Sequence, residues 1–388
     1  MTDSSSWQPP TPYGPPTTPP IEQFAAPAGT PGWTPPPRPG LIPLRPLTLG
    51  ALLSAAFQVL RRNPRPTFGF ALLVNGSITI LTLVVVGAVT FFAVNRTLNA
   101  AQADAATLGA GSVALIILSG LIPVALSIVA SAIVQGVISL EVARGTVGEK
   151  LRLPGLWRAA RGRIGALIGW TLLVTGAVIV ALVVISVVIA LIIAFGGVAG
   201  IVIGVLLGVL FSAGALVAAF WLSKRLSLVP SVLMLERLPL RSALARSWSL
   251  TTGYFWKTLG IQLLVVVILQ TVTGIIGAPL QLILGFGSAL INPTGDQTAL
   301  IVGIVLIYVI TIAVTIVFGA IAQVVQASTA ALIYIDLRMR KEGLDLQLTQ
   351  FVEARQAGDA TITDPYLVGG PATAGAVGDE HGDGAAWS

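Results

Sequence analysis

The sequence predicts an all-α integral membrane protein: six transmembrane helices forming three hairpin repeats, with short cytoplasmic interfacial helices between them. Three observations predict it. Only 10% of the 388 residues are charged and 55% are hydrophobic, whereas an average soluble chain is roughly 25% charged. Long stretches carry no Asp, Glu, Lys or Arg, and a bilayer core about 30 Å thick needs about 20 such residues for each crossing. A six-residue pattern, G-[aromatic or Ile]-x-L-L-V, recurs as GFALLV at 69–74, GWTLLV at 169–174 and GIQLLV at 260–265.

Residues 1–46 hold 15 of the 25 prolines. Such a stretch cannot bury a core and reads as a disordered cytoplasmic tail. It lacks the basic, apolar, small-residue order of a secretory signal, so the first membrane helix must serve as the insertion signal. A transmembrane domain follows at 47–343, and 344–388 reads as a short cytoplasmic segment with a disordered C-terminal tail.

Six uncharged spans are expected, at about 67–95, 112–140, 164–195, 197–222, 258–288 and 299–335. The AFGG link at 194–197 makes spans three and four a tight hairpin. Orientation follows from the basic residues, which are retained on the cytoplasmic side. They crowd the N-terminal segment (Arg38, Arg45, Arg61, Arg62, Arg65), the 141–163 and 223–257 loops, and the C-terminal segment (Arg338, Arg340, Lys341, Arg355). The opposite loops hold only Arg96, with Asp104 and Asp296. Both termini are therefore expected in the cytoplasm, in the bacterial inner membrane.

All three copies of the glycine pattern stand at the start of an odd span. Each even span runs toward the cytoplasm and reaches an acid in an apolar-basic setting: ISLEVAR at Glu141, LMLERLP at Glu236 and YIDLRMR at Asp336. The glycine-to-acid intervals are 72, 67 and 76 residues, which reads as three parallel repeats. Short amphipathic segments precede the hairpins. LTLGALLSAAFQVLRR stops at Asn63-Pro64; LPGLWRAARGR begins on Pro154; PLRSALARSWSLT places Leu240, Leu244 and Trp248 on one face. Their expected position is flat in the inner headgroup layer.

Three constellations stand out. Gly196, Gly200, Gly204, Gly208 and Ser212 put a small residue at every fourth position of span four, a helix-packing seam either within the monomer or between copies. Ser127, Ser131 and Gln135 in span two, with Thr311, Thr315 and Gln323 in span six, form polar stripes. These serve either as interhelical hydrogen-bonding groups or as the lining of a cavity for a lipid headgroup or small solute. Candidate headgroup contacts are Arg61, Arg62, Trp157, Arg158, Arg246, Ser247 and Trp248, where guanidinium and indole groups suit phosphate and the interfacial layer. For Arg246-Ser247-Trp248, anchoring alone and headgroup recognition both remain open.

Several function classes lose support. Cysteine is absent and the one histidine, His381, lies in the tail, so no catalytic, cofactor or metal residues are assigned. The spans hold no ionisable residue, which argues against ion or proton coupling. The pI near 10.1 reflects basic residues spread over juxtamembrane segments and facing anionic lipid, without a soluble domain to organise nucleic-acid binding.

The stretch LVPSVLMLERLPLRSALARSWSLTTGYFWKTLG at 228–260 resembles the membrane domain associated with some bacterial glycerophosphoryl diester phosphodiesterases. The likeness is carried by Pro230, Glu236-Arg237, Ala243, Arg246-Ser247-Trp248, Leu250-Thr251, Gly253 and Phe255-Trp256. RPLTLGALLSAAF at 45–57 and YIDLRMRKEGLDL at 334–346 extend it to roughly 45–346. The likeness is to the stand-alone, proline-tailed form, because the His and acidic metal ligands of the catalytic barrel are missing. It implies a membrane module and no phosphodiesterase activity. The leading expectation is a structural or accessory membrane protein that engages anionic lipid and, through its proline-rich tail, a cytoplasmic protein partner. A lipid or small-solute transporter is the alternative, and a non-catalytic subunit of a lipid phosphodiesterase system is the weaker one.

Overall fold

The computed structural model describes residues 40–99, 105–291, 297–359 and 361–367. Almost all of the proline-rich tail, His381, Asp104 and Asp296 lie outside the described residues. Among those described the chain is all-α, in the order α1 (Leu49–Arg62), a π-helical turn (Arg65–Gly69), α2 (Phe70–Leu98), α3 (Ala105–Thr146) and α4 (Leu153–Arg225). These are followed by α5 (Val229–Leu235), α6 (Leu240–Thr251), α7 (Phe255–Ile291), α8 (Gln297–Glu342) and α9 (Leu344–Gln356).

Five helical segments are long and apolar enough to cross a membrane: Arg65–Leu98, Gly111–Thr146, Leu153–Leu235, Phe255–Ile283 and Val302–Glu342. The protein is a polytopic membrane protein. The count is five uninterrupted segments where the sequence suggested six, because expected spans three and four belong to one continuous helical run. That run reverses at Gly197, whose φ of 54° and ψ of −143° break the helix. A positive φ costs glycine little, since it has no Cβ to clash. Beyond the reversal, a Cβ on Gly200 would stand 2.4 Å from the Ile192 carbonyl oxygen, and one on Gly204 would stand 2.7 Å from Ile193 Cγ1. A Cβ on Gly208 would stand 3.0 Å from Ile189 Cδ1. In a straight helix residues 189 and 208 would be about 28 Å apart, so the two arms of α4 lie antiparallel and in close contact.

Helices α3 and α8 form the centre. Helix α2 packs on α3, α7 on α8, and α4 on α3, while α1 and α2 also rest against α8. The packed core is concentrated at the end of the bundle that carries α1, α5, α6 and α9. There Val134, Val137, Ile138, Leu228, Leu233 and the Leu332–Ile335 run of α8 are buried. Away from that end large apolar side chains such as Val205, Leu206, Leu216, Val305 and Val309 are exposed, as a lipid-facing belt requires.

Two of the three amphipathic segments form helices of their own, α1 and α6. LPGLWRAARGR instead opens α4 and runs without a break into its apolar arm, where the sequence suggested a separate interfacial helix. In α1, Thr48 caps the first turn by accepting from the Ala51 amide, a cap worth about 1 kcal/mol. Asn63 ends the helix with φ −145°. Its buried face is Leu52, Ala55, Ala56 and Val59, turned onto α8, while Leu49 is exposed. Helix α1 is thus fastened to protein along that face, where the sequence suggested a helix lying flat against lipid.

Candidate functional site

Glu141, Glu236 and Asp336 are all buried at the basic end of the bundle, and each holds a different part of the chain. Glu141 on α3 accepts from Asn63 Nδ2 at 3.1 Å, and the same amide group reaches the Leu151 carbonyl at 2.9 Å. Asp336 on α8 accepts from the Leu47 amide at 2.7 Å and from Lys257 Nζ, at the start of α7, at 2.6 Å. Arg340 closes that group by bonding both Asp336 oxygens and donating to the Leu47 carbonyl.

Glu236 sits where α5 ends, and Arg237 after it adopts φ 56°, a left-handed conformation uncommon outside glycine. This turn delivers the carboxylate to Tyr334 Oη at 2.7 Å and to Arg246 Nε at 3.0 Å. Arg246 also binds Glu342 at 2.7 Å, and Arg338 binds Glu342 at 2.9 Å and the Tyr334 phenol at 3.1 Å. The C-terminal segment joins this network. Arg338 donates to the Tyr366 carbonyl at 3.2 Å, the buried Tyr366 phenol bonds Thr146, and Arg144 pairs with Asp364.

The headgroup candidates divide by their surroundings. Arg61, Trp157 and Arg158 are exposed. Arg62 donates to the carbonyls of Gly145 and Glu149. Arg246 spends its guanidinium on two carboxylates, and Ser247 is buried, donating to the Arg225 carbonyl at 3.0 Å. Trp248 stands edge-on to Trp221 with ring centres 5.6 Å apart, and the Arg225 guanidinium lies 4.7 Å from its ring centre. Arg225 also faces Trp221 and Phe255, so three aromatic rings surround it. Trp256, which the sequence reading passed over as a lipid contact, is 80% exposed.

The small-residue seam packs inside the monomer at Gly200, Gly204 and Gly208, against the other arm of α4. Gly196 meets nothing within 4 Å, and Ser212 bonds back to the Gly208 carbonyl.

The polar stripes separate in the same way. Ser127, Thr311 and Thr315 bond carbonyls of their own helices. Ser131, Gln135 and Gln323 instead line one cavity of about 820 Å³, between α3, both arms of α4, α7 and α8. Gln262, Gln326 and Lys224 line it too and were missed. A search for glutamine within uncharged spans would have found the first two. Gln323 Oε1 accepts from Asn75 Nδ2 at 2.7 Å, and Gln262 Nε2 donates to Ser227 Oγ at 2.9 Å. Among the described residues no protein group bonds the carboxamides of Gln135 or Gln326, or Gln323 Nε2. The wall along α4, including Leu173, Ala177, Leu216 and Ala219, is apolar and exposed, so the cavity is open along an apolar wall.

In comparisons with known proteins, no family model, no curated protein and no solved structure matches this chain. Its function is read from this geometry.

Proposed function

We propose that this chain is a multi-pass protein of the bacterial cytoplasmic membrane, with both termini cytoplasmic, that binds a membrane lipid in its lateral cavity without acting on it chemically. Counting the two arms of α4 separately gives six crossings in three hairpins, which agrees with the even parity of the basic segments. The observation that carries the lipid reading is the cavity itself. Its volume of about 820 Å³ lies within the 300–1,000 Å³ of ordinary ligand sites. It joins a sideways apolar mouth to carboxamides whose hydrogen bonds the protein leaves unmade. Unpaired amides in a lipid-facing wall cost free energy unless a guest or water satisfies them. An amphiphile entering from the bilayer satisfies both halves. The likeness to the phosphodiesterase-associated membrane domain fits a non-catalytic lipid-handling module.

The full chain, purified in mild detergent and examined by native mass spectrometry, is expected to retain lipid. Ala219→Trp, which fills the mouth, is expected to lose most of it. Retention equal in the two proteins would refute the cavity reading. A second reading, a structural or accessory protein, is supported by the ion-paired basic end, which presents a fixed surface. Liposomes reconstituted with the chain alone separate binding from transport, because only a transporter moves labelled lipid or solute between compartments. Crosslinking from the proline-rich tail in cells tests for a protein partner.

A further inference from the structure

We infer that the lipid carries an anionic, phosphate-bearing headgroup whose phosphate seats on Lys224; this rests on the lateral cavity being a lipid site. Among the described residues that line the cavity, Lys224 is the only charged one and none is a carboxylate. The nearby acids are already committed: Glu236 to Tyr334 and Arg246, Glu342 to Arg246 and Arg338, Asp336 to Lys257 and Arg340. The ammonium of Lys224 is left with the Phe220 ring, 5.4 Å away, as its described neighbour. Arg225 cannot substitute for it, being enclosed by Trp221, Trp248 and Phe255.

The polarity of the cavity is also graded in the right direction. Ser223, Lys224 and Ser227 lie at the end of α4, and Ser227 Oγ holds the Lys224 carbonyl at 2.9 Å. Along the same arm Leu216, eight residues from Lys224, is about 12 Å away at 1.5 Å per residue and is purely apolar. Phosphate at the lysine would leave acyl chains along Val178, Ala181, Leu182 and Leu216. The glutamines, which both donate and accept, would take headgroup hydroxyls. A cation at a helix C-terminus also stabilises the helix dipole. That role alone predicts no lipid selectivity.

The test compares retention of defined lipids by the full chain in mixed micelles: phosphatidylglycerol, phosphatidylcholine and diacylglycerol. Phosphatidylglycerol is expected to be retained at least tenfold better than the other two. Lys224→Met should erase that preference, and Lys224→Arg should keep most of it. Inorganic phosphate at millimolar concentration should not displace the lipid. An unchanged preference in Lys224→Met, equal retention of the three lipids, or displacement by phosphate overturns the inference. Ala219→Trp tells the two failures apart. If it abolishes retention of every lipid while Lys224→Met changes nothing, the cavity reading stands and the phosphate assignment falls. If it leaves all retention unchanged, the cavity reading falls as well.

Discussion

The phenol of Tyr334 donates a 2.7 Å hydrogen bond to the carboxylate of Glu236, 98 positions earlier in the chain, and both side chains are buried. Glu236 and Glu342 together are the anions that make Arg246 and Arg338 compatible with each other. Truncation to Glu236→Ala is expected to destabilise the fold by about 3–5 kcal/mol, the range for breaking a buried ion pair. Tyr334→Phe, which removes the bond donated to Glu236 and the one accepted from Arg338, should cost about 1–3 kcal/mol. Denaturant unfolding in detergent should rank the two variants in that order.

Arg246→Ala tests anchoring against headgroup recognition. With its guanidinium bound to Glu236 and Glu342, the substitution should lower stability by several kcal/mol. Retention of anionic lipid by the protein that remains folded should be unchanged. Trp256→Ala, at an exposed indole, should show the reverse: a weaker interfacial association with little loss of stability. Lipid retained in native mass spectrometry and thermal unfolding read the two quantities separately.

Gly204→Leu forces a branched side chain into the space of Ile193. Overpacking of this kind costs about 1–3 kcal/mol. The contact is inside α4, so native mass spectrometry should find the assembly size unchanged while the melting temperature falls.

Asp336→Asn should loosen the beginning of α1, because it weakens the grip on the Leu47 amide and releases Lys257 and Arg340. Hydrogen exchange over residues 47–60 should quicken markedly, while the α2–α3 hairpin keeps its protection.

Burial pushes the Tyr366 phenol above the ordinary tyrosine range, and its bond to Thr146 offsets part of that rise. The released segment would ionise near pH 10, whereas the docked one holds its proton. Docking free energy is therefore fully present below about pH 10 and is lost as pH rises toward the folded value. Limited proteolysis near residue 360 should accelerate above pH 10 in the wild type. Tyr366→Phe should flatten that alkaline dependence.

Much of this architecture was legible in one dimension. Charge-free runs marked the helices, and apolar-basic settings singled out Glu141, Glu236 and Asp336, all three of which are buried. What each acid holds was not legible: Arg246 meets Glu342 across 96 residues of chain, and no local periodicity encodes such a pairing. For the same reason Arg246 read as a free lipid-facing guanidinium. The glycine seam was visible, but its partner depended on the fold-back at Gly197. The polar stripes were visible as well. Which members converge depended on helix rotation, which brings Ser131, Gln135 and Gln323 to one cavity and turns Ser127, Thr311 and Thr315 back on their own carbonyls.

The three buried acids occupy the same end of the bundle, and this placement gives the protein a gradient of stiffness along the membrane normal. Charged fastenings tie α1, α3, α5, α6, α7 and α8 together there, while the distal arms of α4 are held mainly by glycine and isoleucine contacts with each other. Thermal motion should accordingly concentrate at the far end of α4. A guest could then part the cavity wall at its apolar side while the frame around Lys224 keeps its shape.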